Sequence, residues 1–407
     1  MPAPTVDPQP STERRSPAAD PLAGPSTAPP RPAAPGRRVG RVVVRVAISV
    51  GLLVLIYVLG GRKLVTDVGA NLRAAAAHPW LLVAAVVLYA GLGTVIRGLR
   101  WQALVRPLGH PISLWRSSEL FMVGTFFNQI LPTGVGGDAV KAMLLARDGR
   151  ANRLGAARAV STVLVDRGMG LLPLLAFGLI ALPFTPGVTP AVAVFLAVIG
   201  LGGVTGLALL MRADLWWSRV ERWPIAGWVL RRAAVARFVG SFAEYGVRAL
   251  AASLGWGIVF TVLLVGTNAA LGHAVGIDSV SVATWATVVP LVALSAMLPS
   301  IGGWGVREMG YWTILGALTP PVAQDKAVAV SLLFQAVNML VSIAGGLLYL
   351  FRGDHVASPL ADAEDLVLAL EGGAASGAAS GAANGAEDGD DRADVAVGDG
   401  RTVGGSG

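Results

Sequence analysis

The chain has 407 residues, of which 54% are hydrophobic and 14% charged, with a mean hydropathy of +0.63 and a formal charge of +7. That balance excludes an ordinary soluble globular domain and reads as an integral membrane protein. There is no cysteine, which excludes disulfides, thiolate metal sites and cysteine nucleophiles; the four histidines show no clustered spacing for zinc, so neither metal nor cofactor is implied.

Residues 1–36 are rich in Pro, Ala, Ser and Thr without apolar periodicity, and are expected to be a disordered cytoplasmic tail. Residues 353–407, with GGAASGAASGAANGAEDGDD at their centre, read as a second, acidic Gly/Ala-rich tail holding eleven of the 25 acids and two of the 32 bases. Between them, residues 37–352 carry 27 bases against 11 acids. The bases sit in short loops between apolar runs, which argues for anionic lipid surfaces and against nucleic acid.

Six runs are long enough to span a membrane: 42–60, 79–96, 159–182, 190–211, 250–271 and 327–351. The first follows a long tail and precedes GGRK, so it reads as an anchor and not as a cleaved signal. Arg37, Arg38, Arg41 and Arg45 precede it, which puts the N-terminus in the cytoplasm by the positive-inside rule. The bases after the second span (Arg97, Arg100, Arg106, Arg116) and before the third (Lys141, Arg147, Arg150, Arg153, Arg158) return the chain to that side. The loops 183–189 and 272–282 lack Lys and Arg and face out, while the Arg-rich loop 212–248 faces in, so both termini are expected in the cytoplasm of a cell-membrane protein.

The stretch 117–146 then starts and ends on one side. It is expected to dip into the membrane as two half-helices joined at LPTGVGG, with Pro132, Gly136 and Gly137 as the structural break. The pattern recurs as LPSIGGWG at 298–305, with Pro299, Gly302 and Gly303 between the short apolar runs 283–297 and 309–318. Three spans separate the breaks, and an odd number of crossings makes the second hairpin enter from the opposite face. Paired interruptions of this kind mark an inverted repeat and a transporter's central site; coincidence in a chain with 52 Gly and 25 Pro is the bland alternative.

Charges within such segments cost about 2.5–3.5 kcal/mol each, so they face a cavity or a partner. The candidates are Asp166 and Arg167, adjacent on a helix and therefore needing separate partners; Asp138 and Lys141, three apart beside a half-helix N-terminus; and Arg307 and Glu308 after the second break. An N-cap role for Asp138 and interfacial pairing for the others are the structural alternatives. Asn128 and Gln129 before the first break, and Gln335 and Asn338 in the last span, fit either substrate contact or interhelical hydrogen bonding. Arg97 and Arg100 read as snorkelling anchors or as phosphate clamps.

Four segments in order, RGLRW at 97–101, FFNQILPTGVGGDAVKAMLL from 126, VDRGMGL at 165–171 and LPSIGGWGVREMGYW from 298, resemble the lysylphosphatidylglycerol synthase transmembrane-region family over about residues 40–352. The resemblance implies movement of lipids between leaflets, with aminoacylated phosphatidylglycerol as the cargo of the namesake and polyprenyl-phosphate-linked sugars or hopanoids as cargo suggested for other relatives. The namesake's soluble synthase domain has no counterpart in the Gly/Ala-rich residues after 353, which argues against lysyl transfer. The expectation is therefore an all-α polytopic helix bundle of about six full spans plus two inverted re-entrant hairpins. It would act as a flippase-like transporter, not an enzyme, on lipids with an anionic or phosphate-containing head group. Against an enzyme of envelope biosynthesis, no Ser/His/Asp set or metal-spaced carboxylate pair appears; a membrane scaffold that recruits partners through its tails is the third reading. No GxxxxGK[ST] motif is present, so transport would draw on an ion gradient or a partner, or run passively.

Overall fold

A computed structural model describes residues 35–131, 136–148, 156–187, 189–212, 215, 216, 219, 239–296, 298 and 300–352. Residues 1–34 and 353–407, Pro132 and Pro299 lie outside them, as does most of the Arg-rich loop, while Pro35 and Gly36 of the expected tail already belong to a helix. The described residues are all-α, with no strand among them. Six helices are long and apolar enough to cross a membrane, which makes this a multi-pass membrane protein.

In chain order the helices are α1 (Pro35–Ala76), α2 (Pro79–Leu108), α3 (Leu114–Ile130), α4 (Gly136–Asp148), α5 (Ala156–Ala181), α6 (Pro190–Met211), α7 (Val247–Ala274), α8 (Val282–Ser295), α9 (Val306–Gly316) and α10 (Gln324–Phe351), of which α3, α4, α8 and α9 are not among the six. The two short pairs α3/α4 and α8/α9 fall on the two Gly/Pro-interrupted segments. Leu131 is already extended, with φ −73° and ψ 131°, because the residue before a proline is pushed out of the helical region. α1 is broken where the first span was expected to end: at Gly61 the backbone leaves the helical region (φ 63°, ψ −168°), and a second helical segment continues from there to Ala76, with Leu64, Val68 and Ala75 buried.

Ion pairs and hydrogen bonds sort the helix ends into two groups. At one end, Arg116 joins the start of α3 to the close of α4 through Asp148 (Nε–Oδ2 2.7 Å), and also binds Glu119 at 2.9 Å. Arg352, at the end of α10, pairs with the same buried Glu119. Arg158 at the start of α5 bridges to Glu244 before α7 at 2.9 Å. Beside it, burial pushes the Tyr245 hydroxyl up from its ordinary value, and the protonated group shares a 3.2 Å hydrogen bond with Ser161. At the other end, Asn71 donates to Asp325 at 2.7 Å, Thr319 N–H reaches Pro186 O at 3.3 Å, and Thr185 meets Thr287 at 2.8 Å. The α3/α4 pair thus has both outer ends in the first group, and the α8/α9 pair has its outer ends in the second.

The packing also maps onto itself when α2–α5 are exchanged with α7–α10. Within each set, the long helix packs on the first half-helix, the two halves pack together, and the second half packs on the following span; across sets, α3 lies on α10, α8 on α5, and α2 on α7. Two apolar clusters fill the bundle, one around Trp101, Leu120 and Leu145 of the first half, the other around Trp285, Tyr311 and Leu315 of the second and reaching Leu81, Tyr89 and Leu174 of the first.

Candidate functional site

The first break is held by close backbone contact and a buried ion chain. A Cβ on Gly137 would stand 1.9 Å from Gly124 O across the hairpin, so only glycine lets the halves approach this closely. Asn128 Oδ1, from the last turn of α3, accepts the Gly137 N–H at 2.9 Å and thereby satisfies a donor at the start of α4. Asp138 sits in the first turn of α4, where a carboxylate complements the helix dipole.

From there the charges run inward. Asp138 pairs with Arg167 and lies 4.0 Å from Lys141. Lys141 reaches Asp166 at 3.4 Å, and Asp166 takes a two-pronged bond from Arg100, 2.8 Å from Nε and 3.1 Å from Nη2. Asp166 and Arg167, neighbours in sequence, do find separate partners. Lys141, 2% exposed, also lies 4.4 Å from the Trp101 ring centroid and 4.2 Å from that of Phe121. The carboxylates and rings together offset a desolvation cost of several kcal/mol per buried ion. Glycine again makes the room: a Cβ on Gly170 would meet Arg100 at 2.4 Å.

Arg97 is on the same helix but outside this chain. It is 6% exposed, donates to Gly93 O at 3.1 Å and to Thr94 Oγ1 at 3.4 Å, and is ringed by Tyr89, Phe121 and Phe260 with centroids 4.8, 5.0 and 5.0 Å from its Cζ. Tyr89 lies on the π-helical stretch Val87–Leu92 inside α2; such single-turn expansions are frequent at functional sites. Its hydroxyl bonds Asn338 at 3.1 Å, so Asn338 acts here through Tyr89.

A family model for the lysylphosphatidylglycerol synthase TM region matches residues 42–346. The chain belongs to that family. No curated protein and no solved structure matches it. The match covers the membrane bundle and contains no catalytic domain.

The second break of this family member is built differently. Gly302, Gly303 and Gly305 all have positive φ (59°, 82° and 80°), a path that L side chains resist. α1 closes over it, with Ser49 Oγ accepting the Ile301 N–H at 3.0 Å. Glu308 turns inward: its Oε2 accepts the Gly305 N–H at 2.7 Å and its Oε1 accepts from Ser331 at 3.1 Å. Arg307 and Glu308 are therefore not paired with each other. Arg307 donates to Gln335 Oε1 and stacks on Phe334 at 5.4 Å.

The two breaks meet. Gln335 Nε2 lies 3.4 Å from Gln129 Oε1, and a Cβ on Gly302 would stand 2.1 Å from that same Gln129 oxygen. The link Gln129–Gln335–Arg307 joins the last turn of α3, the middle of α10 and the start of α9. Gln129 Nε2 is buried with no acceptor among the described residues. Sequence reading misses Tyr89 and Phe334 as site residues, because single aromatics in apolar runs carry no signal of their own. It also misses Glu119, 2% exposed, although an acid in a half-helix is a usable clue.

Proposed function

We propose that this protein moves a lipid between the leaflets of the cell membrane, with its phosphate-bearing head group following the polar seam and its acyl chains remaining in the bilayer. The observation that carries this reading is the contact of the two helix breaks through Gln129, Gln335 and Arg307, between hairpins whose outer ends lie at opposite ends of the bundle. Irregular backbone at membrane depth survives only where protein or a water-filled cavity covers it, and breaks paired in the two halves are where transporters hold their substrates. On this reading both hairpins are re-entrant, and the end carrying Arg116, Arg158 and Arg352 faces the cytoplasm together with both termini.

The test is the purified protein in vesicles with a head-group-labelled phospholipid in the inner leaflet. An impermeant quencher should reach the label faster than in protein-free vesicles, while the mass of the lipid stays unchanged. Equal rates sink the transport reading; a changed lipid mass replaces it with an enzyme. Loss of cellular function on deleting residues 1–36 and 353–407, with transport in vesicles retained, would instead assign the biological role to the tails.

A further inference from the structure

The interior charges do not balance. Arg100 and Lys141 share Asp166, Arg167 is paired with Asp138, and Glu308 is engaged by the Gly305 amide and Ser331. Around the two breaks, among the described residues, the five cations Arg97, Arg100, Lys141, Arg167 and Arg307 therefore stand against the three carboxylates Asp138, Asp166 and Glu308. The two left without a carboxylate among the described residues are Arg97 and Arg307, whose partners are all neutral. Hydrogen bonds and rings offset part of the cost of burying them, and an anion would complete the pairing of each.

These two cations flank one aromatic pair. Tyr89 and Phe334 meet edge to face with centroids 5.1 Å apart; Arg97 lies over the Tyr89 ring at 4.8 Å and Arg307 over the Phe334 ring at 5.4 Å. Arg307 is half-buried beside the meeting point of the breaks, and Arg97 is buried deeper, at 6% exposure. The geometry thus gives an outer and an inner guanidinium, the group that grips phosphate oxygens in pairs, with an aromatic partition between them.

We infer that Arg307 and Arg97 are two successive stations for the phosphate of a net-anionic lipid head group, separated by the Tyr89–Phe334 pair. The Arg100–Asp166–Lys141 chain and the Arg167–Asp138 pair, whose three cations all have a carboxylate within 4.0 Å, hold helices together and take no lipid. This rests on the transport reading for its physiological meaning, but as a binding site it stands alone. Tyr89 is the positioning residue: it faces Arg97 with its ring and fixes that ring by its bond to Asn338.

The experiment is native mass spectrometry of the full-length protein in neutral detergent, titrated with phosphatidylglycerol, phosphatidylcholine and inorganic phosphate. Phosphatidylglycerol should be retained about tenfold more tightly than phosphatidylcholine, and Arg97→Gln and Arg307→Gln should each weaken it about tenfold. Arg97→Lys and Arg307→Lys should restore part of the loss; because Lys keeps the charge, Arg97→Lys also answers for a Gln variant that fails to fold. Arg158→Gln, at the bundle end, should leave affinity unchanged. Equal retention of both lipids, undiminished binding in Arg307→Gln and Arg97→Lys/Arg307→Gln, or an equal loss in Arg158→Gln overturns the assignment. Displacement by inorganic phosphate at matching concentration overturns the lipid as its source. Binding that depends on both arginines in a protein that moves no lipid leaves this inference standing and removes the transport reading; transport of phosphatidylglycerol undiminished in both Gln variants does the reverse.

Discussion

At the first break, the second half-helix begins with its own anion: Asp138 occupies the α4 N-terminus and is answered by Arg167 and Lys141. At the second, α9 begins with Arg307, and the neighbouring acid is turned inward to cap the Gly305 amide. The backbone device is shared, but the electrostatics are opposite. The first break is closed by cations that each have a carboxylate partner, and the second keeps a cation held, among the described residues, by a glutamine and a ring. One sequence pattern used twice can therefore serve rigidity in one copy and recognition in the other.

The sharpest way to break this comparison is topological. The chain has no cysteine, so single cysteines report cleanly. In oriented vesicles, Arg106→Cys and Arg147→Cys should react with an impermeant maleimide from one face, and Ser279→Cys and Ala317→Cys from the other, all or none in each case. Labelling of positions 106 and 147 from opposite faces would make α3/α4 a spanning unit and dissolve the inversion. Next in size is Asp166→Ala, which strands Arg100 and Lys141 in the interior and should cost about 3–5 kcal/mol in detergent unfolding.

Gly137→Ala should follow, at about 1–3 kcal/mol, because the added methyl meets backbone at 1.9 Å. Gly302→Ala should cost about 1–2 kcal/mol, since its clash is with the movable end of Gln129 and the left-handed backbone supplies most of the strain. Smallest in stability is Arg307→Gln, expected within about 0.5 kcal/mol of the parent while lipid binding falls. A stability loss at Arg307 as large as at Asp166 would erase the contrast between the breaks.

Much of this was legible in the sequence, for definite reasons. Six spans and two interruptions follow from hydropathy, Gly and Pro, which act locally; both short helix pairs lie where LPTGVGG and LPSIGGWG were read. The charge asymmetry of the loops anticipated that residues 116, 148, 158 and 352 gather at one end. Partners across distance were not legible: nothing in RGLRW or VDRGMGL says that Arg100, and not Arg97, takes Asp166. That choice is made by helix packing, as is the seating of Tyr89 against Arg97. Gly60–Gly61 does interrupt α1, as its glycines suggested; what hydropathy did not show is the second helical segment beyond it, where Leu64 and Val68 are buried.

The helix α6 has a role that its packing does not advertise. Only 6% of its apolar window is buried inside the protein, against 61% for α10, and it has no counterpart in the exchange that relates α2–α5 to α7–α10. Its contribution is parity. By crossing the bundle once between the two halves, it delivers the start of α7 to the end opposite that from which α2 sets out, so that two copies of one architecture face contrary directions. A different apolar helix of equal length would serve as well, whereas omitting it would leave both hairpins opening the same way.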